Sequence, residues 1–122
     1  MEININYVFK TVDGKPIKKT VGFDNGGIPI AGKDNFTLKS LCLNALNTDF
    51  SNPQQWGANA EKISGEDKFK RGALSMEIYK ANDKINLPAE DITLLKKLIG
   101  MLSTPLIVHQ AYETLDGTTK QK

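Results

Sequence analysis

One cysteine and one histidine are all that this 122-residue sequence offers of those two chemistries. A lone cysteine excludes an internal disulfide, and the pair falls short of a typical zinc set, so no metal residues are assigned. Excess charge of one sign is also missing: sixteen Lys and Arg stand against fourteen Asp and Glu, for a formal net charge of +2. Residues 1–60 hold six lysines and five acids, and residues 61–122 hold ten basic residues and nine acids. This balance leaves no basic stripe of the kind that follows phosphates on nucleic acid or an acidic membrane. No apolar run approaches the ~20 residues of a membrane span, and the opening MEININYVFK lacks the basic-then-apolar order of a signal segment. The expectation is an intracellular protein that does not engage a membrane.

A chain of this length folds around one core and buries roughly two-thirds of its extended surface. With 39% hydrophobic and 25% charged residues, it reads as a folded domain. The most decided stretch runs from Asn86 to Gly117 and predicts two helices. Pro88 sits where a first turn tolerates it, Glu90 and Asp91 put negative charge at the helix start, and Gly100, Ser103, Thr104 and Pro105 mark the boundary between the two. In the first, Ile92, Leu94, Leu95, Leu98, Ile99, Met101 and Leu102 cover about half the circumference, which suits a core centre or an oligomer interface. In the second, Ile107, Val108, Ala111, Tyr112 and Leu115 form the inner stripe, with His109 and Glu113 four apart on its flank.

At the N-terminus, Ile3, Ile5, Tyr7 and Phe9 alternate, and Ile17, Val21 and Phe23 continue the odd-numbered pattern after Asp13-Gly14-Lys15. This predicts a β-hairpin over 2–23 whose three-residue loop sets Tyr7 opposite Val21 and Ile5 opposite Phe23. Two strands alone are marginal, so the hairpin needs the helices, a further strand or another subunit. The glycine-rich stretch 24–36 contains Gly27-Ile-Pro-Ile-Ala-Gly32-Lys33, close to a phosphate-binding loop, but Asp34 stands where a Mg²⁺-binding hydroxyl belongs. No nucleotide or other cofactor is assigned. Its apolar tip, Ile28-Pro29-Ile30, is either an arm for a partner or a loop folded back on its own core.

Thr37 caps a helix within 37–49 whose apolar face, Leu38, Leu41, Cys42, Ala45 and Leu46, places the cysteine in the core. A nucleophilic Cys42 would need an exposed electropositive setting and a base, with His109 the one candidate. Residues 49–63 are irregular, with Trp56 as a lid over the core or an anchor for a partner. Ser64 opens a helix within 64–82 that carries two apolar stripes: Phe69, Gly72, Ala73 and Met76, then Leu74, Ile78 and Ala81. Such a helix lies between two layers or lends one face to another chain. Asn82-Asp83-Lys84 is no calcium loop, because Ile85 and Leu87 occupy ligand positions.

The two C-terminal helices also fit a helix-turn-helix outline, yet PLIVHQAYETL offers a DNA groove only His109 and Gln110. Lys18, Lys19, Lys68, Lys70, Arg71, Lys96 and Lys97 read as a solvated surface before they read as a phosphate track. No acid–base or nucleophile–base pair emerges, so no catalytic residues are assigned. The C-terminal segments Ala89-Glu90-Asp91-Ile92, Lys96-Lys97-Leu98-Ile99-Gly100, Pro105-Leu106-Ile107-Val108 and Tyr112-Glu113-Thr114-Leu115-Asp116-Gly117 resemble small proteins of tailed-phage and prophage genomes. The resemblance implies a phage product that works by contact, in virion assembly or in disabling a host system, in the host cytoplasm or the virion.

These readings combine into one expectation: an α+β single domain over 1–117, an N-terminal β-hairpin followed by about four packed α-helices (within 37–49, 64–82, 88–102 and 104–116), and a flexible tail at 118–122. Its function is non-enzymatic protein binding as a homo-oligomer, through Ile28, Pro29, Ile30, Trp56, Leu74 and Ile78. The alternative is a small helix-turn-helix DNA-binding regulator.

Overall fold

The computed structural model describes residues 2–117, apart from the side chain of Asn59; the tail expected at 118–122 lies outside the described residues. The fold is α+β, with short strands at the N-terminus and four long helices after them. Strand β1 spans Glu2–Asn4, β2 Lys18–Phe23 and β3 Pro29–Asn35. Helix α1 covers Leu38–Asn47, the single turn α2 Pro53–Trp56 and α3 Gly65–Lys80. Strand β4 is Lys84–Asn86, and α4 (Ala89–Leu102) and α5 (Pro105–Leu115) complete the chain.

Helix α4 is the centre. Its Leu95, Leu98 and Ile99 are fully buried, with Leu94, Met101 and Leu102 packed at the edge of the same cluster. The leucine-rich half-cylinder therefore belongs to the core. Helix α1 packs on α3 and α4, and α5 on α4 and β1. Gly100 does not end α4; it lies in the last turn, where a side chain would collide with the Tyr112 hydroxyl. That hydroxyl donates to the Lys96 carbonyl at 2.6 Å, so the missing side chain lets α5 close onto α4.

The strands depart from the expected hairpin over 2–23. β1 pairs antiparallel with β4, Ile3 facing Ile85, and the Ile5 amide donates to the Asp83 carbonyl at 2.9 Å. β2 pairs instead with β3, setting Phe23 opposite Pro29 and Gly22 opposite Ile30. Tyr7 therefore does not face Val21, nor Ile5 Phe23. Between the two sheets the chain still turns back at Thr11–Lys15, but its ladder shrinks to a bridge between Lys10 and Pro16. The physical reason is that alternation fixes which side chains share a face and says nothing about which strand lies alongside. Ile3, Ile5 and Phe9 turn inward to the helices, whereas Val21 and Phe23 stay in solvent.

The start of α1 is closed off by the same N-terminal segment. The amides of Leu38 and Lys39 donate to the carbonyls of Tyr7 and Ile5, each at 2.8 Å, and Ser40 donates to the Thr37 hydroxyl. Three of the four donors a helix leaves unpaired at its start are thus satisfied by protein, and the first intrahelical bond runs from the Leu41 amide to the Thr37 carbonyl. At the other end of the chain, Gln110 on α5 holds residues 7–10. Its Oε1 accepts from the Tyr7 hydroxyl and the Lys10 amide, both at 2.9 Å, and its Nε2 donates to the Lys10 carbonyl at 2.8 Å.

Candidate functional site

The glycine-rich stretch is not a phosphate loop. Gly27–Lys33 forms a turn and an antiparallel strand, and the helix that follows has its amides occupied by Tyr7, Ile5 and Thr37. What it builds is an arm. Nearly every residue of β2 and β3 is exposed, on both faces, and the two strands make their contacts chiefly with each other. Local chemistry sets the turn: Asp24 Oδ1 accepts from the amides of Gly26 and Ile28 at 2.9 Å, and Gly27 takes a positive φ of 79° that disfavours any residue with a Cβ. Backbone bonds between Asp24 and Ile28 close the tip.

The arm carries four large apolar side chains in solvent: Val21, Phe23, Ile28 and Ile30, exposed to 70%, 67%, 63% and 46%. Isolated exposed apolar residues are ordinary, but four on one two-stranded ribbon are an unusual concentration, divided between its two faces, with Phe23 and Ile30 on opposite sides. Ile28, Pro29 and Ile30, singled out from sequence, stand together at its tip.

At the foot of the arm, where β2 meets the body, lies a groove of about 680 Å³. Ile17, Phe36, Leu43 and Ile107 supply its apolar lining, and Lys18 and Lys19 its charge; among the described residues no carboxylate lines it. Lys18 Nζ donates to Asn35 Oδ1 across the base of the arm. Beyond Leu43, a smaller hollow of about 210 Å³ lies between α1 and α3, lined by Ser75, Met76, Tyr79 and Lys80.

Helix α3 is two-sided, but the assignment of its sides is the reverse of that expected. Leu74 and Ile78 are buried in this chain's own core and offer nothing to a partner. The stripe left in solvent is Phe69, Met76 and Tyr79, with the Lys39 ammonium 5.4 Å from the Tyr79 ring. Of the stripe Phe69, Gly72, Ala73 and Met76 read from sequence, Phe69 and Met76 reach this surface and Tyr79 joins them from outside it, whereas Leu74 and Ile78 are buried on the same side as Arg71, an unusual residue to bury. Trp56 is committed as well. Its ring packs 4.6 Å from Phe50, its Nε1 donates to the Asp49 carbonyl at 2.9 Å, and it covers the core rather than presenting an anchor.

The remaining reactive or cationic side chains are dispersed. Cys42 is fully buried, and burial pushes its thiol up to about 12, so it stays protonated and unreactive near neutrality. His109 lies on the surface, 2.8 Å from Glu113, and is not brought to Cys42. Lys96 binds Asp116 at 3.0 Å and lies over the Tyr112 ring, Lys97 pairs with Glu61, and Arg71 is buried. Among the described residues, no three His, Cys, Asp or Glu side chains are grouped to hold a metal ion. Nor is any helix of the described residues long and apolar enough to cross a membrane. No protein-family model, curated protein or solved structure matches this chain.

Proposed function

We propose that this chain is a non-enzymatic protein-binding protein of phage origin, acting as a homo-oligomer in virion assembly or as an inhibitor of a host defence system. One observation carries the reading: a two-stranded arm holds Val21, Phe23, Ile28 and Ile30 in solvent, where the chain's own core does not cover them. Hairpins of this size are marginal in water unless a face is packed, so an arm of this composition calls for a covering surface. The open stripe Phe69, Met76 and Tyr79 supplies a second contact surface. A helix-turn-helix regulator has less to work with, since Gln110, Lys96, Lys97 and Arg71 are engaged within the chain or buried.

The test is capture of a partner from bacterial lysate and from disrupted virions by immobilised protein, comparing the wild type with Ile28→Asp/Ile30→Asp and with Met76→Asp. A partner retained by the wild type and lost by either variant is the expected result. Retention unaffected by both variants, or none from either source, would refute the reading. Duplex DNA retained at physiological salt and released as salt rises would favour the regulator instead.

A further inference from the structure

We infer that two copies of this chain exchange arms: each lays its β2–β3 hairpin antiparallel to the other's and seats its tip in the groove at the other's foot. This rests on the protein-binding reading above and names the first partner as a second copy. The groove and the arm are unsatisfied in complementary ways. The tip from Val21 to Ile30 carries four exposed apolar side chains and one charge, the carboxylate of Asp24. The groove offers an apolar lining from Ile17, Phe36, Leu43 and Ile107, with the ammonium groups of Lys18 and Lys19 and, among the described residues, no carboxylate. Asp34, the nearest acid along β3, does not line it. Lys19 has no ion-pair partner among the described residues.

Placement makes the match reciprocal. The groove is walled by Lys18–Thr20, the first residues of β2, so it lies at the root of the arm itself. A second arm running antiparallel to the first brings its tip to that root, and a strand of six residues spans roughly 20 Å between the two ends. Rotation by a half-turn repeats the same contact, so the assembly closes as a two-fold dimer and leaves neither tip nor groove uncovered. Each copy contributes ten tip residues, 21–30, and nine groove residues. That total of nineteen falls just below the roughly 20–30 residues per side in a standard interface.

Sedimentation equilibrium on four samples tests the exchange: the wild type, the arm variant Ile28→Asp/Ile30→Asp, the groove variant Leu43→Asp, and an equimolar mixture of the two variants. Circular dichroism checks folding. Lys19→Glu, at an exposed position on the groove wall, serves as a second groove variant if Leu43→Asp unfolds. A wild-type dimer is expected, with the arm and Leu43→Asp variants monomeric and Lys19→Glu weakened about five-fold. The mixture is expected to re-form a heterodimer, because the intact arm of one variant meets the intact groove of the other. It holds by one contact of two and so dissociates more readily than the wild type. A monomeric wild type, an arm variant that stays dimeric, or a mixture that stays monomeric would each overturn the exchange. A monomer that still captures a partner through its arm leaves the protein-binding reading standing without the exchange. A dimer that exchanges arms but captures nothing leaves the exchange standing without the reading.

Discussion

Phe50 and Phe23 are the same residue in opposite circumstances. Phe50 has no exposed surface and lies under Trp56, in a body where Ile3, Phe9, Leu95 and Leu98 are equally closed off; Phe23, on the arm, is two-thirds in solvent. The body is held by burial, at about 25 cal/mol for each Å² of apolar surface removed from water. The arm is held by a strand ladder and an Asp24 turn, neither of which removes much apolar surface. Hydrophobic side chains in the body are therefore structure, and the same side chains in the arm are interface. The contrast also separates what stabilises the monomer from what a partner recognises.

The contrast is broken most sharply from the body side. Leu98→Ala, at a fully buried position of α4, is expected to cost about 2–5 kcal/mol in urea unfolding while leaving the arm's surface unchanged. A loss below about 1 kcal/mol would mean that α4 is not the centre of the core. Next in size is a gain. Arg71 is buried and its Nη1 has no hydrogen-bond partner among the described residues, so Arg71→Met is expected to raise stability by about 1–3 kcal/mol through relief of that desolvation. An unfolding midpoint that falls instead would assign the guanidinium a structural role.

Alkaline pH probes the body without disturbing its shape. The Cys42 thiol is raised from 9.0 to about 12 in the fold, so above pH 9 the unfolded chain loses a proton that the folded chain keeps. Stability is fully present below that value and declines as pH rises toward the folded one. Tyr7 is shifted upward too, by burial first and by the Glu113 charge second, and acts in the same direction from pH 10.0. From about pH 8 to about pH 10, the wild type is expected to lose about 1 kcal/mol more than Cys42→Ala, read from urea midpoints. Equal losses would place the thiol in contact with water. The smallest effect belongs to the arm: in the monomer, Ile28→Asp/Ile30→Asp is expected to change unfolding free energy by less than about 0.5 kcal/mol. A larger loss would mean that the tip packs on its own body and is no arm.

Much of the body was legible. Helical spacing located all four long helices, the caps at Thr37 and Ser64 accept bonds from Ser40 and Asp67 as the sequence suggests, and Cys42 falls in the core. The strands were not, because each pairing depends on a distant partner. β4 is only Lys84-Ile85-Asn86, too short for a period, and it becomes a strand by lying beside β1. Ile28-Pro29-Ile30 was visible as a candidate contact, but Pro29 and three nearby glycines disguised the strand that carries it. The groove was invisible, since Ile17, Phe36, Leu43 and Ile107 come from four separate stretches and only the fold brings them together.

The clasp of Gln110 on Lys10 spans 100 residues of sequence, and the β1–β4 pairing spans almost as many. A chain emerging from the ribosome at about 5–20 residues per second shows its first ten residues roughly 5–20 s before the helix that fastens them exists. The sheet that seats Ile3 must wait for residues 84–86, and the Gln110 clasp and the closure of α5 onto α4 must wait for the C-terminal quarter. Folding of the body is thus expected to be a single event late in synthesis, whereas the arm has both strands and its turn within residues 18–35 and needs no later residue for its pairing. The part that makes contact has all its residues before the part that holds it.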